Sequence, residues 1–342
     1  MKVDQESQNL PEDLLRAYED QTALVTGGAG FIGSNLVRHL LSLKVSRVTV
    51  LDDLSSSYSW NLPQDKRVRF VEGSILDDED LTGAFEDRPK YVFHLAAHFA
   101  NQNSVEHPER DLSVNGLGTL RILRFSRISD TDRIVFASSG CSVYGSDAPL
   151  PLKEDFVSTR LDTPYQITKL LGELYCNYYS DLYKLNISVP RFFNVYGPGE
   201  VPGKYRNVIP NFIYWALKQS PLPITGTGDE TRDFTFVGDV VNGVLRSGYM
   251  KAAVGEAMNL ASGIETRVID LAKSINKLTG NERGVIIQPK RGWDKSNRRR
   301  ASIDKARSLI GYNPSTELAA GLRATTAWFR ENWDAIQRCA RF

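Results

Sequence analysis

The chain has 342 residues, 41% of them hydrophobic and 24% charged, and its 42 Lys and Arg against 41 Asp and Glu leave a net charge of +1. That length supports a full core, enough for one nucleotide domain with a smaller lobe, and the evenly mixed charge gives no electrostatic case for nucleic acid. Three widely spaced cysteines and no Cys/His cluster argue against a disulfide scaffold or a metal site.

Residues 1–20 are charged and hold no apolar run for secretion or membrane spanning, which points to the cytoplasm. Within this extension, Leu10-Pro-Glu-Asp-Leu-Leu-Arg16 predicts a short helix. A strand over Thr22–Val25 then runs into Thr26-Gly-Gly-Ala-Gly-Phe-Ile-Gly-Ser34, and the apolar positions 36, 37, 40 and 41 recur at helical spacing. The glycines therefore sit at a strand-to-helix turn. There Gly27 and Gly30 permit a tight bend close to a pyrophosphate, Gly33 permits close helix–strand packing, and Phe31 and Ile32 complete the seat. The next strand, Arg47–Leu51, ends in Asp52-Asp53, placed to accept hydrogen bonds from the adenosine ribose hydroxyls. Two carboxylates would repel a ribose 2′-phosphate, so the expected cofactor is NAD rather than NADP.

Further strands are expected over Val68–Glu72, Tyr91–Leu95 and Arg133–Ala137, alternating with helical patterns, which is the signature of an α/β fold with a doubly wound parallel sheet of Rossmann type. A helix through Leu170, Leu171, Leu174 and Tyr178 puts Tyr165 and Lys169 on one face. A free phenol is a poor base near neutral pH. An adjacent ammonium and a positive nicotinamide ring both favour its phenolate, so Tyr165 can take an alcohol proton while Lys169 tunes it and anchors the nicotinamide ribose.

These motifs, together with His94-Leu-Ala-Ala97, Asn115 ahead of Gly118-Thr119, Ser138-Ser139 ahead of Val143-Tyr-Gly145, Arg191-Phe-Phe-Asn194-Val-Tyr-Gly-Pro198 and Arg232-Asp-Phe234, stand in the order of the extended short-chain dehydrogenase/reductase superfamily. Residues 20–335 resemble its nucleotide-sugar epimerases and dehydratases. The resemblance implies cofactor contacts from Ser55, Ser56, Ser74, Ile75, Leu95, Ala96, Ala97 and Asn115. It also implies a serine or threonine that hydrogen-bonds the reacting sugar hydroxyl. Counting from the strand residue Ala137 gives Ser139, with Ser142 second, because Ser138-Ser-Gly-Cys-Ser-Val143 is one residue longer than the usual run.

Similar 4,6-dehydratases carry an Asp-Glu acid–base pair here, and related decarboxylases a Glu before the Val, whereas this chain has Cys141 and Ser142. The expectation is therefore 4-epimerisation through a transient 4-keto sugar, with NAD regenerated. The alternatives are 4,6-dehydration, a uronate epimerase or decarboxylase outcome, 3,5-epimerisation using Cys141, and, from a different class, a non-catalytic sugar-nucleotide or NAD sensor. By the same resemblance, Asn194, Asn207, Val208, Thr225, Arg232, Arg291 and Asp294 hold a nucleotide-diphosphate sugar. Gly199-Glu200, in place of an arginine after Tyr-Gly-Pro, favours a neutral UDP-hexose or UDP-N-acetylhexosamine. The basic run Lys295–Arg300 reads as a solvated face or as a binder of diphosphate or acidic sugar. Expected boundaries are a cofactor domain over 21–195 with a return segment at 232–250, and a substrate lobe over 196–231 and 251–342. The helical stretches 110–128 and 164–183 correspond to those that pair across a twofold in similar enzymes, so the resemblance implies a homodimer.

Overall fold

The computed structural model describes residues 12–342; the start of the predicted N-terminal helix, Leu10 and Pro11, lies outside them. Seven parallel strands form the main sheet, in the order Ala257–Leu260, Ile187–Phe192, Arg133–Phe136, Tyr91–His94, Thr22–Thr26, Arg47–Asp52 and Val68–Glu72, with a two-residue strand Ser138–Ser139 also paired to Ile187–Phe192. The strands over 22–26, 47–52, 91–94 and 133–136 are buried almost throughout, as required of a sheet covered on both faces. Alternation within them divides the core. Val25, Val50 and Phe93 pack under helices Phe31–Ser42 and Val237–Tyr249, while Leu24, Val92 and Ile134 pack under Thr119–Ile128 and Pro164–Tyr183.

Strand order reverses beside Thr22–Thr26, and a crevice at the carboxyl ends of the strands follows from that switch. A separate core joins helices Val208–Leu217, Val268–Thr279 and Leu318–Glu331 with strand Leu222–Thr225, to which the exposed strand Val285–Gln288 pairs. The expected boundary at 251 needs correction, since Ala257–Leu260 is an edge strand of the main sheet and helix Asp304–Ile310 packs behind it through Ala306 and Ile310. The N-terminal extension also has a structural job. Helix Glu12–Tyr18 buries Leu14 and Tyr18 in the main core, where the Tyr18 hydroxyl donates to Leu245 O at 2.7 Å.

The predicted helix over 110–128 forms in three pieces, Pro108–Asp111, a π-wound segment Leu112–Gly118, and Thr119–Ile128. Such π-turns gather at functional sites, and this one carries Asn115. No helix among the described residues is long and apolar enough to cross a membrane.

Candidate active site

The carboxyl ends of the strands open into a cavity of about 890 Å³ that continues to the second core, within the range of pockets that enclose a large ligand. Gly27, Gly30, Phe31, Ile32, Gly33, Asp52, Asp53, Ser55, Ser56, Ser74, Ile75, Leu95, Ala96 and Ala97 line one part of it. A side chain on Gly33 would place Cβ 2.2 Å from Gly27 O, and Gly27 has φ of 71° with Ala96 N in the way of any Cβ at 2.7 Å, so both glycines are enforced by close approach. No side chain caps helix Phe31–Ser42, which leaves its first-turn N–H groups available to an anion. Asp52 braces the turn as well as facing the cavity, accepting from Ala29 N at 2.9 Å, Leu54 N at 3.0 Å and Ser57 Oγ at 2.6 Å. Burial raises its pKa despite those bonds. Asp53 is more open and lies 3.4 Å from Arg110 Nη2. A glycine cradle, an uncapped helix start and a carboxylate at the next strand's end together suit a dinucleotide.

Asn115, expected as a cofactor contact, is engaged with the protein itself. It is 2% exposed and lies behind the cavity wall, where its side chain accepts from His98 N at 2.8 Å and donates to Asp111 Oδ1 at 2.9 Å. It therefore fixes the loop after Tyr91–His94 and the Asp111 carboxylate, which in turn accepts from Thr168 on the neighbouring helix at 2.6 Å.

Thr163 caps helix Pro164–Tyr183 and Pro164 occupies its first turn, starting the helix so that Tyr165 and Lys169, one turn apart, both reach the cavity. Lys169 Nζ donates to Ala137 O at 2.9 Å and sits 5.8 Å from the centre of the Tyr165 ring. Burial lowers the Lys169 pKa to about 8, with Asp111 opposing. Burial also drives the Tyr165 pKa well above that of a free phenol, Asp111 and Cys141 add to this, and the Ser139 hydroxyl is the group that favours the phenolate. Lys169 is not among the groups that shift the Tyr165 phenol, and desolvation dominates.

Ser139 lines the cavity and is held by pairing with Phe192 across the short strand. Ser142 is fully buried behind it and donates to Ser139 Oγ at 2.8 Å. The second-choice serine is therefore separated from the cavity and acts on the first. Between them, a Cβ on Gly140 would come 1.9 Å from the Phe193 ring, and Cys141 turns into the cavity with its thiol donating to Asn194 Oδ1 at 3.5 Å.

Asn194, Asn207, Val208, Thr225, Arg232, Arg291 and Asp294 line the remaining part. Asn207 donates to the buried Glu200 at 3.0 Å, and Arg232 pairs with Asp294 at 3.1 Å. Arg291 is exposed at the rim, with its guanidinium over Trp293. Sequence reasoning missed Trp215 and Phe342, whose rings stand 4.6 Å apart and also line the cavity, and Arg299, which lies buried in the wall. Trp215 was visible in the helical run 207–217, whereas the inward turn of Arg299 had no signal beyond the basic run.

The model of the NAD dependent epimerase/dehydratase family matches residues 23–261. A UDP-glucose 4-epimerase of Mycolicibacterium smegmatis is 38% identical over 311 residues, covering 90% of this chain and 98% of the relative. Among solved structures, an epimerase of Methanothermobacter thermautotrophicus, Mth375, is 55% identical with a TM-score of 0.95, over 96% of this chain and 98% of that one. The Bordetella bronchiseptica enzyme WbmF, solved in complex with NAD+ and UDP, is 38% identical with a TM-score of 0.81, over 94% of this chain and 96% of that one. The chain belongs to the NAD dependent epimerase/dehydratase family.

Proposed function

We propose that this protein is an NAD-dependent UDP-sugar 4-epimerase. The observation that carries the reading is that Tyr165, Lys169 and Ser139 line the same cavity as the glycine turn, with Cys141 and Ser142 in the sequence positions where similar dehydratases carry an acid–base pair. Similarity to a UDP-glucose 4-epimerase over nearly its whole length supports it.

When bound, NAD supplies an acceptor for the C4 hydride and a donor for its return. Tyr165 takes the proton of the sugar 4-hydroxyl and gives it back, and Ser139 holds the same oxygen. Lys169, fixed on Ala137 O, contributes a cation to this end and a donor to the nicotinamide ribose. Gly27, Gly30 and the first turn of helix Phe31–Ser42 hold the cofactor pyrophosphate, and Asp52 the adenosine ribose. Arg232, oriented by Asp294, binds the substrate diphosphate. Cys141 and Ser142 supply no carboxylic acid of the kind a dehydratase uses to expel a C6 hydroxyl, so hydride return after the 4-keto sugar rotates is the outcome this reading favours. Incubation with UDP-sugars and identification of products by NMR tests this: inverted C4 with unchanged mass is expected, and loss of water or carbon dioxide would reject it.

The same reading assigns the main sheet and its helices to cofactor binding and the separate core to substrate binding. It places the protein in a reducing cytoplasm, consistent with three free cysteines and a net charge of +1, with no affinity for nucleic acid or membrane. It makes the protein a homodimer, because Leu112, Leu117, Ile167, Leu174, Tyr178 and Leu182 leave an exposed apolar face on the helices spanning 108–128 and 164–183. A monomeric mass at micromolar concentration would reject the dimer.

A further inference from the structure

The basic residues between strand Val285–Gln288 and helix Asp304–Ile310 do not share one environment. Arg298 is exposed and pairs with Glu265 at 2.7 Å, Lys295 pairs with Asp162 at 2.9 Å, and Arg291 lies open over Trp293. Arg299 is different. It is 6% exposed, lines the cavity, and its one hydrogen bond to the described residues runs from Nη2 to Ser296 Oγ at 2.6 Å. Among the described residues no carboxylate forms an ion pair with it. A guanidinium has five donors and stays charged at any physiological pH, and burying that charge without a partner is costly. The site is therefore built for an anion that the ligand brings.

Position narrows which anion. The Lys295–Asp162 bond fastens this segment to the residue just ahead of the Thr163 cap, close to Tyr165. Arg299 lines the same cavity as Cys141, which stands two residues beyond Ser139 and beside Asn194. The segment that carries the guanidinium is thus fastened at the sugar end through Lys295 and Asp162, while the diphosphate already has Arg232 held by Asp294.

We propose that Arg299 receives the carboxylate of an acidic sugar, making the preferred substrate a UDP-linked hexuronate or its 2-acetamido form rather than a neutral hexose. This rests on the UDP-sugar reading above and reverses the preference drawn from Gly199-Glu200. A bidentate guanidinium–carboxylate contact in a buried site gives about tenfold to a hundredfold in affinity.

Calorimetric titration of the NAD-saturated protein with UDP, UDP-glucose and UDP-glucuronate tests it on the wild type, Arg299→Gln and Arg299→Lys. The wild type is expected to bind UDP-glucuronate at least about tenfold more tightly than UDP-glucose. Arg299→Gln should erase that difference while leaving UDP and UDP-glucose nearly unchanged, and Arg299→Lys should keep part of it. A wild type that binds UDP-glucose as well as UDP-glucuronate overturns the proposal, as does Arg299→Gln weakening all three ligands equally, which would put the guanidinium on the diphosphate. If Arg299→Gln fails to fold, the wild-type preference and Arg299→Lys still decide. Failure of UDP itself to bind would instead remove the UDP-sugar reading beneath it.

Discussion

Replacing Ser139 by alanine, and separately Ser142 by alanine, resolves which serine meets the sugar. Ser139 lines the cavity and is the group that favours the Tyr165 phenolate, whereas Ser142 is fully buried and reaches the site only through its 2.8 Å bond to Ser139 Oγ. Ser139→Ala deletes a hydrogen bond to an oxygen that becomes charged, worth about 1.5–3 kcal/mol, or roughly ten- to 150-fold in kcat. Ser142→Ala deletes a neutral bond to the reactive hydroxyl, worth about 0.5–1.5 kcal/mol, so kcat should fall by no more than about tenfold. Steady-state turnover of both variants at saturating UDP-sugar, with NAD content and melting temperature measured alongside, checks the difference. Near-wild-type kcat in Ser139→Ala beside a collapse in Ser142→Ala would refute the assignment and with it the strand-anchored register of this loop.

Nucleotide titration should show NAD binding more tightly than NADP, since Asp52 and Asp53 both face the cavity; the opposite order would contradict their role. The buried pair Arg191–Glu173, at 2.7 Å, ties helix Pro164–Tyr183 to strand Ile187–Phe192, and Glu173 also accepts from Ser138. Glu173→Gln strands the guanidinium and should cost about 3–5 kcal/mol in denaturant unfolding, and a loss below about 1 kcal/mol would mean that solvent reaches the pair. Glu200 is buried and its pKa is raised to about 7 from an ordinary 4.5, chiefly by desolvation. The folded state thus binds this proton more tightly than the unfolded one, so the associated stability is complete below pH 4.5 and is lost as pH rises through 7. The melting temperature of Glu200→Gln minus that of wild type should accordingly increase across that window, and a flat difference would show that Glu200 ionises normally.

Much of this site could be read from the sequence because its chemistry is local. The glycine turn, Asp52 and the i, i+4 pair Tyr165 and Lys169 each depend on short-range spacing. Anchoring on the strand also led to Ser139, and the pairing of Ser139 with Phe192 supplies the reason, since Gly140 alone fits beside Phe193. Strands Ile187–Phe192 and Ala257–Leu260 were not legible. They contain Pro190, Arg191 and Asn259, polar or strand-breaking residues whose compensation comes from afar: Arg191 from Glu173 and Tyr144, Asn259 from Leu152 O and Ser302 O. Arg299 was hidden for another reason. In an irregular segment no periodicity tells an inward residue from its neighbours, and Arg298 beside it faces solvent.

The most direct test of the account is to incubate the protein with UDP-glucose and UDP-glucuronate in D₂O and to identify the product and the state of the cofactor by NMR. The account predicts inversion at C4, unchanged mass, no deuterium at C3 or C5, and NAD recovered in its oxidised form. Deuterium at C3 or C5 would bring Cys141 into proton transfer, and loss of water or carbon dioxide would contradict 4-epimerisation outright.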